Sequence, residues 1–237
     1  MKIALVTGAD EPLCAVAEHT RALLPHLREL AEVRRFVAAD GSERPASIGG
    51  EQLHPITDLR PREFDQVVYQ VDDEPRCAFM PPVLRALGGT VALHSWALPN
   101  LAAAAFPALG RGGWRGLLAA VREGGPTQAA AWRRARAAGV WPADMTFNRS
   151  VIRHADAFLV HSARLGRAVR EDRNARTALA VVPGGGVGAR ADEVQPWSEV
   201  ARSWVEALGT FPHAHSARRP LVRVALQAAA GRGGRGE

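Results

Sequence analysis

The feature that most constrains this chain is an alternation. Short β-branched or apolar runs recur at Ile3 to Thr7, Glu32 to Val37, Gln66 to Gln70, Thr90 to His94, Ala157 to His161 and Ala178 to Val182, and helical patterns fill most of the intervals. Strands that alternate with helices build a parallel sheet, because a parallel connection must cross from one end of the sheet to the other and a helix makes that crossing. Helices then cover both faces, so the strands read as nearly continuous apolar runs. The expected fold class is α/β: a Rossmann-like parallel sheet with helices on both faces.

The first helix is the clearest, with Val16, Thr20, Leu23, Leu24, Leu27 and Leu30 spaced to form one stripe, and with Pro25 expected to kink it. A second helix, Met80 to Leu87, opens with Pro81-Pro82, which suit a first helical turn, and closes at Gly88-Gly89. From about 97 to 147 the alternation gives way to an Ala-rich, Gly-punctuated helical insertion carrying Trp114, Trp132 and Trp141 beside Arg133, Arg134 and Arg136. Those aromatics serve either to pack the excursion onto its own domain or to stack bases or sugar rings. After Val182 a glycine-rich run from Pro183 to Gly188 reads as a linker. A final helix from about Pro196 to Leu208 presents Trp197, Val200, Ala201, Trp204 and Leu208 on one side and must dock on something. The expected organisation is a domain over residues 1–190 that contains the insertion, then a C-terminal helix packed back on it and a basic tail over 191–237.

Composition closes off several classes. A chain of 237 residues that is 47% hydrophobic can bury a core, which excludes intrinsic disorder. No stretch approaches the roughly 18 unbroken apolar residues of a membrane span, and no signal-peptide pattern precedes Ile3, so a cytoplasmic location is expected. Cys14 and Cys77 lie far apart without a CxxC pair, which favours neither a disulfide framework nor a cysteine zinc site. His213-Ala-His215 lacks a third ligand at a convincing spacing, so no metal is expected. The net charge is +6, of which +4 sits in the last 27 residues. A nearly balanced body leaves no nucleic-acid partner implied. The tail is either solvated or makes peripheral contact with the inner, anionic face of a membrane.

In an open parallel sheet, ligands bind beyond the carboxyl ends of the strands, where the strand order reverses. That rule selects the loop Glu11 to Ala15, the acidic trio Asp72, Asp73 and Glu74, and the two strand ends His94-Ser95 and His161-Ser162. A histidine at a strand end serves either as a general base or ligand contact near neutral pH, or as a structural hydrogen-bonder. There is no GxxxxGK[ST] phosphate loop, no GxGxxG after the first strand and no GxSxG elbow, which disfavours P-loop, dinucleotide and serine-hydrolase chemistry.

Six stretches, taken in order, resemble the N-terminal domain of family 4 glycosyltransferases, retaining enzymes of GT-B fold. They are PLCAVAEHTRALL (12–24), DQVVYQVDDEP (65–75), VALHSWAL (91–98), GWRGLLA (113–119), FNRSVIRHADAFLVHS (147–162) and VVPGGGV (181–187). The resemblance covers about residues 1–190. It implies that this domain holds a glycan or lipid-linked acceptor, while a second Rossmann-like domain binds a nucleotide sugar as donor substrate, with no metal or other cofactor. By position it implies His94 as the catalytic histidine beside the reacting sugar. Cys14, Ala15, Glu18 and His19 would face the diphosphate and acceptor, and Asn148 and Arg149 the acceptor side; the strand-end rule adds Gln70, Ser95 and His161 as candidate substrate contacts.

Three departures stand beside the matches: Ala15 where the family favours glycine, Ser95 where an acidic residue is frequent, and Gly184 in place of a histidine. The final helix also follows Val187 almost at once, with no donor domain between. Two functions remain open on these residues. One is the acceptor-binding half of a glycosyltransferase that works with a separate donor-binding chain. The other is a non-catalytic GT-B remnant that serves as a binding or scaffold module.

Overall fold

Eight strands form one sheet in the order β3-β4-β2-β1-β5-β6-β7-β8. They are β1 (Lys2–Val6), β2 (Glu32–Val37), β3 (Ser47–Ile48), β4 (Glu51–Pro55), β5 (Gln66–Val71), β6 (Thr90–Leu93), β7 (Ala157–Val160) and β8 (Ala178–Val181). Seven are parallel, and only the two-residue β3 runs antiparallel to its neighbour β4. The computed structural model describes residues 1–8, 15–38, 47–48, 51–172, 175, 178–184 and 195–213. The chain lays strands outward from β1 through β2 to β4, returns to place β5 on the other side of β1, and then proceeds to β8. Strand order therefore reverses between β1 and β5.

The helices are α1 (Ala15–Leu30), α2 (Met80–Leu87), α3 (Pro99–Ala105), α4 (Ala108–Arg111), α5 (Gly113–Ala137), α6 (Arg149–His154), α7 (Ala163–Glu171) and α8 (Trp197–Thr210). Because side chains alternate across a strand, each strand feeds both faces. Ile3, Leu5, Val68 and Leu159 enter one core with Leu23 and Leu27 of α1 and Val200, Trp204 and Leu208 of α8. Val6, Tyr69, Val91 and Phe158 point the other way, against Val83 and Leu84 of α2, Ile152 of α6 and Val169 of α7. The six strands expected from sequence are present, each with ends within one residue of expectation. β4 was not foreseen, because Glu51-Gln52-Leu53-His54-Pro55 has one apolar residue before a proline and lies near the sheet margin, where only Leu53 needs burial.

α1 continues through Pro25 to Leu30, and Leu30 itself is largely exposed rather than part of the buried stripe. α2 ends at Gly88, and Gly89 then adopts φ 123°; a Cβ there would stand 2.8 Å from the Val67 carbonyl oxygen. Only glycine makes that turn onto β6 without strain. The final helix does dock. α8 lies beside α1, with Trp197 near His19 at the carboxyl edge of the sheet and Leu208 over Gln66 at the amino edge. Gln66 Nε2 donates to the carbonyls of Leu208, Pro212 and Phe211 at 3.0, 3.3 and 3.4 Å, so one strand residue satisfies carbonyls that the helix end leaves open.

The insertion is helical and builds its own small core from Leu109, Ala120, Ala129, Trp132 and Phe147. Of the two uses open to its tryptophans, Trp132 takes the packing one. α5 breaks at Gly125, where φ is 83°, just before Pro126, and its two arms fold back on each other. A Cβ on Gly116 of the first arm would meet the Trp132 ring of the second at 2.8 Å, which measures how closely they approach.

Candidate functional site

Strand parity decides which face each strand-end residue joins. Gln70 shares the parity of Gln66 and Val68, His94 that of Ala92, and His161 that of Ala157 and Leu159, so all three fall on the side of α1 and α8. The pairing of Leu93 with Val160 sets His94 beside His161 at the carboxyl edge. The His94 amide donates to the Val71 carbonyl at 2.9 Å, which holds that strand end in register with β5. The second turn of α1 brings His19 and Thr20 down onto the same edge. The Thr20 hydroxyl lies within hydrogen-bond reach of both the Gln70 side-chain amide and the Val16 carbonyl, and its single proton serves one of them at a time.

The result is a triangle of imidazoles. Ring centroids lie 4.9 Å apart for His19 and His94, 4.9 Å for His19 and His161, and 4.8 Å for His94 and His161. Two indoles from α8 close one side: Trp197 stands edge-on to His19 at 5.1 Å, and Trp204 stacks on His161 at 6.2 Å. His19 is 4% exposed. Both ring nitrogens of His19 and Nε2 of His94 are buried without a hydrogen bond, while the His161 ring is met by the Val182 and Pro183 backbone.

Burial disfavours the charged form of each ring. For His19 it lowers the pKa to about 3, with neighbouring His161 adding to the effect. Burial, then His161 and His19, holds His94 well below its ordinary value. Burial also lowers His161, opposed by the Val182 and Pro183 backbone. Three neutral imidazoles thus sit together, each with one N–H donor and one acceptor nitrogen. Buried polar atoms in native proteins almost always have partners, so the unpartnered nitrogens of His19 and Nε2 of His94, at the carboxyl edge of the sheet, mark a place suited to a ligand rich in hydroxyl or amide groups. The rings meet by edge and face, and among the described residues no group of three His, Cys, Asp or Glu is placed to hold a metal ion.

The structure brings together His19, His94 and His161, with Gln70 joined to them through Thr20. It separates the others. Glu18 is exposed on the outer side of α1, and Ser95 follows His94 half-buried. Asn148 is buried, and its side-chain amide donates to the Trp96 carbonyl at 2.9 Å, fastening the start of α6 to the loop after β6. Arg149 lies against the α5 break, where a Cβ on Gly125 would stand 2.6 Å from its guanidinium. Both belong to the joint between the insertion and α6 rather than to the imidazole triangle. Ala15 is the first residue of α1, while Cys14 and the loop before it lie outside the described residues, as does most of the glycine-rich run. Asp73, one of the acidic trio, caps α3 by accepting from the amides of Asn100 and Leu101 at 2.7 and 3.0 Å.

One contributor escaped sequence reasoning, the indole wall, since docking of the last helix was expected but not where it would dock. Outside the triangle, Arg35 on β2 is a 2% exposed guanidinium that donates to Thr7 Oγ1 at 3.3 Å beyond the end of β1. The signal for it was an arginine at a strand position whose parity, shared with Val33, points inward.

No protein-family model, no curated protein and no solved structure matches the chain. Among the described residues no helix is long and apolar enough to cross a membrane.

Proposed function

We propose that this chain is the acceptor-binding half of a glycosyl-transfer system, taking a glycan or lipid-linked sugar at the carboxyl edge of the sheet and working with a separate donor-binding chain. The observation that carries the reading is the imidazole triangle, with His94 at one corner beyond β6. Sugar hydroxyls both donate and accept hydrogen bonds, as neutral imidazoles do, so a saccharide complements the unpartnered nitrogens without requiring a charge. Indoles beside the site suit the apolar faces of sugar rings. In this reading His94 contacts the sugar at the reacting bond, and His19, His161, Gln70 and Ser95 orient the acceptor. The donor is a nucleotide sugar whose phosphates are handled by the partner chain. Only residues 182–196 separate β8 from α8, so no donor-binding unit intervenes there.

A second reading is favoured by one observation: the triangle is closed on the α8 side by Trp197 and Trp204, and its nitrogens are buried. A non-catalytic binding or scaffold module of the same fold has no need of an open site. Calorimetric titration with a panel of oligosaccharides, lipid-linked saccharides and nucleoside-diphosphate sugars separates the alternatives. Saturable saccharide binding that His94→Ala abolishes, with the fold retained, supports the acceptor half. Tight nucleotide-sugar binding overturns it by showing a donor site on this chain. Absence of any saccharide binding leaves the scaffold reading standing alone.

A further inference from the structure

The outward side of the first arm of α5 is apolar. Trp114, Leu118 and Val121 recur at helical spacing, and they are 68%, 57% and 39% exposed. Opposite them, Gly116, Ala120 and Glu123 are buried against the rest of the insertion. A helix that packs on a domain ordinarily turns its polar side to water. Here the packed side is formed by small residues and the solvent side by large apolar ones.

The charges of the insertion are mostly of one sign. Between residues 97 and 147 the sequence carries six arginines, Arg111, Arg115, Arg122, Arg133, Arg134 and Arg136, against two acids, Glu123 and Asp144. Glu123 is fully buried and accepts from the Ser150 amide at 3.1 Å, so it does not face the surface. The fold concentrates the arginines near the tryptophan, because the second arm of α5 returns to the start of the first and Arg136 donates to the Gly110 carbonyl at 2.9 Å. Arg115 lies over the Trp114 ring at 5.6 Å. Arg122 flanks the same face one turn beyond Leu118.

We propose that this face is a docking surface for an anionic lipid bilayer. Trp114, Leu118 and Val121 would enter the boundary between headgroups and acyl chains, and Arg111, Arg115, Arg122 and Arg136 would contact lipid phosphates around them. An exposed tryptophan flanked by arginines matches the polarity gradient of that boundary, and arginine can keep its stem in the apolar zone with its head at the phosphates. The alternatives fit less well. A nucleic acid would use the arginines and leave Leu118 and Val121 in water, and a second copy of the chain would bring its own arginines against these. The surface lies on the insertion, and it stands whether or not the imidazole triangle binds sugar.

The test is flotation of the full chain with phosphatidylcholine vesicles and with vesicles containing about one-third phosphatidylglycerol. The expected result is binding to the anionic vesicles alone. Each arginine removed should weaken binding roughly fivefold, so Arg111→Gln with Arg115→Gln should lower affinity by about 25-fold. Trp114→Ser with Leu118→Ser should lower it by about tenfold or more. All four positions are at the surface, and unchanged circular dichroism and melting would show that the variants fold. Failure of the parent chain to float with anionic vesicles overturns the proposal, as does flotation that neither double variant weakens, which would place the contact elsewhere. Binding to RNA that depends on the arginines but not on Trp114 and Leu118, without flotation, assigns the face to nucleic acid. Lipid-free self-association that Trp114→Ser with Leu118→Ser abolishes, without flotation, assigns it to a second copy.

Discussion

Acidification tests the imidazole triangle directly. His19 has a folded-state pKa of about 3 against an ordinary value of 6.5, so the fold binds it neutral while the unfolded chain protonates it. Its contribution to stability is complete above pH 6.5 and is lost progressively as pH falls from there toward 3. At pH 5 the unfolded histidine is almost fully protonated, and keeping the folded one neutral costs about 2 kcal/mol relative to pH 8. His94 and His161 shift in the same direction and add to the loss. Two acids act the other way: burial raises Glu123 and Asp73, so the fold takes up those protons before the unfolded chain does and gains stability as pH falls. The total slope therefore mixes signs, and a difference isolates the imidazole. His19→Phe keeps an aromatic ring against His94, His161 and Trp197 but removes the titrating group. Urea unfolding followed by circular dichroism at pH 8 and pH 5 should show the parent chain losing about 2 kcal/mol more than His19→Phe. Parallel losses in the two proteins would refute the claim that His19 is buried and neutral at this edge.

Three further substitutions probe how the site is held. Trp204→Ala removes a fully buried indole from between α8 and the sheet and should cost roughly 3 to 5 kcal/mol in denaturant unfolding; a change within error would mean that α8 does not dock as described. Gln66→Leu keeps the volume but strips the donor from the last carbonyls of α8, and a loss of about 1 to 3 kcal/mol is expected, with earlier amide exchange in the last turn of the helix. Gly89→Ala forces a side chain onto a positive φ with its Cβ 2.8 Å from the Val67 carbonyl oxygen, so about 2 to 4 kcal/mol should be lost; a neutral outcome would show that the backbone relaxes there.

The fold was legible because its signal is local. Buried parallel strands read as nearly continuous apolar runs with few polar residues, and Gln66–Val71, Thr90–Leu93 and Ala157–Val160 announce themselves for that reason. The ends of α2 were legible too, since Pro81-Pro82 and Gly88-Gly89 act through their own backbone torsions. The site was legible in part. The rule that ligands gather at strand ends selected His94 and His161 one at a time, but their meeting with His19 depends on inter-strand register and on the rotation of α1 over the sheet, which no local pattern encodes. Asn148 and Arg149 show the other side of this dependence on tertiary path. Their place in a motif-like stretch suggested a binding role, while the three-dimensional path puts them at the joint of the insertion, with the Asn148 amide engaged by the Trp96 carbonyl.

The position of α8 ties the chemistry of the site to the stability of the fold. One helix is anchored at the amino edge by Gln66 and places Trp197 and Trp204 against the imidazoles at the carboxyl edge. A helix of 14 residues has little stability alone, so most of what holds it is this packing. Protonating the triangle would put like charges within 5 Å of one another beneath the indoles, in a place where burial already opposes charge. The least costly response is to lift the first turn of α8 while Gln66 keeps its far end in place. Acid should therefore lower amide protection, relative to the intrinsic exchange rate at each pH, at Glu199 to Ala201 before it does so at Trp204 to Leu208. If both ends exchanged together as pH fell, the strain would be spread over the whole domain, and the triangle would not be the element that senses the proton.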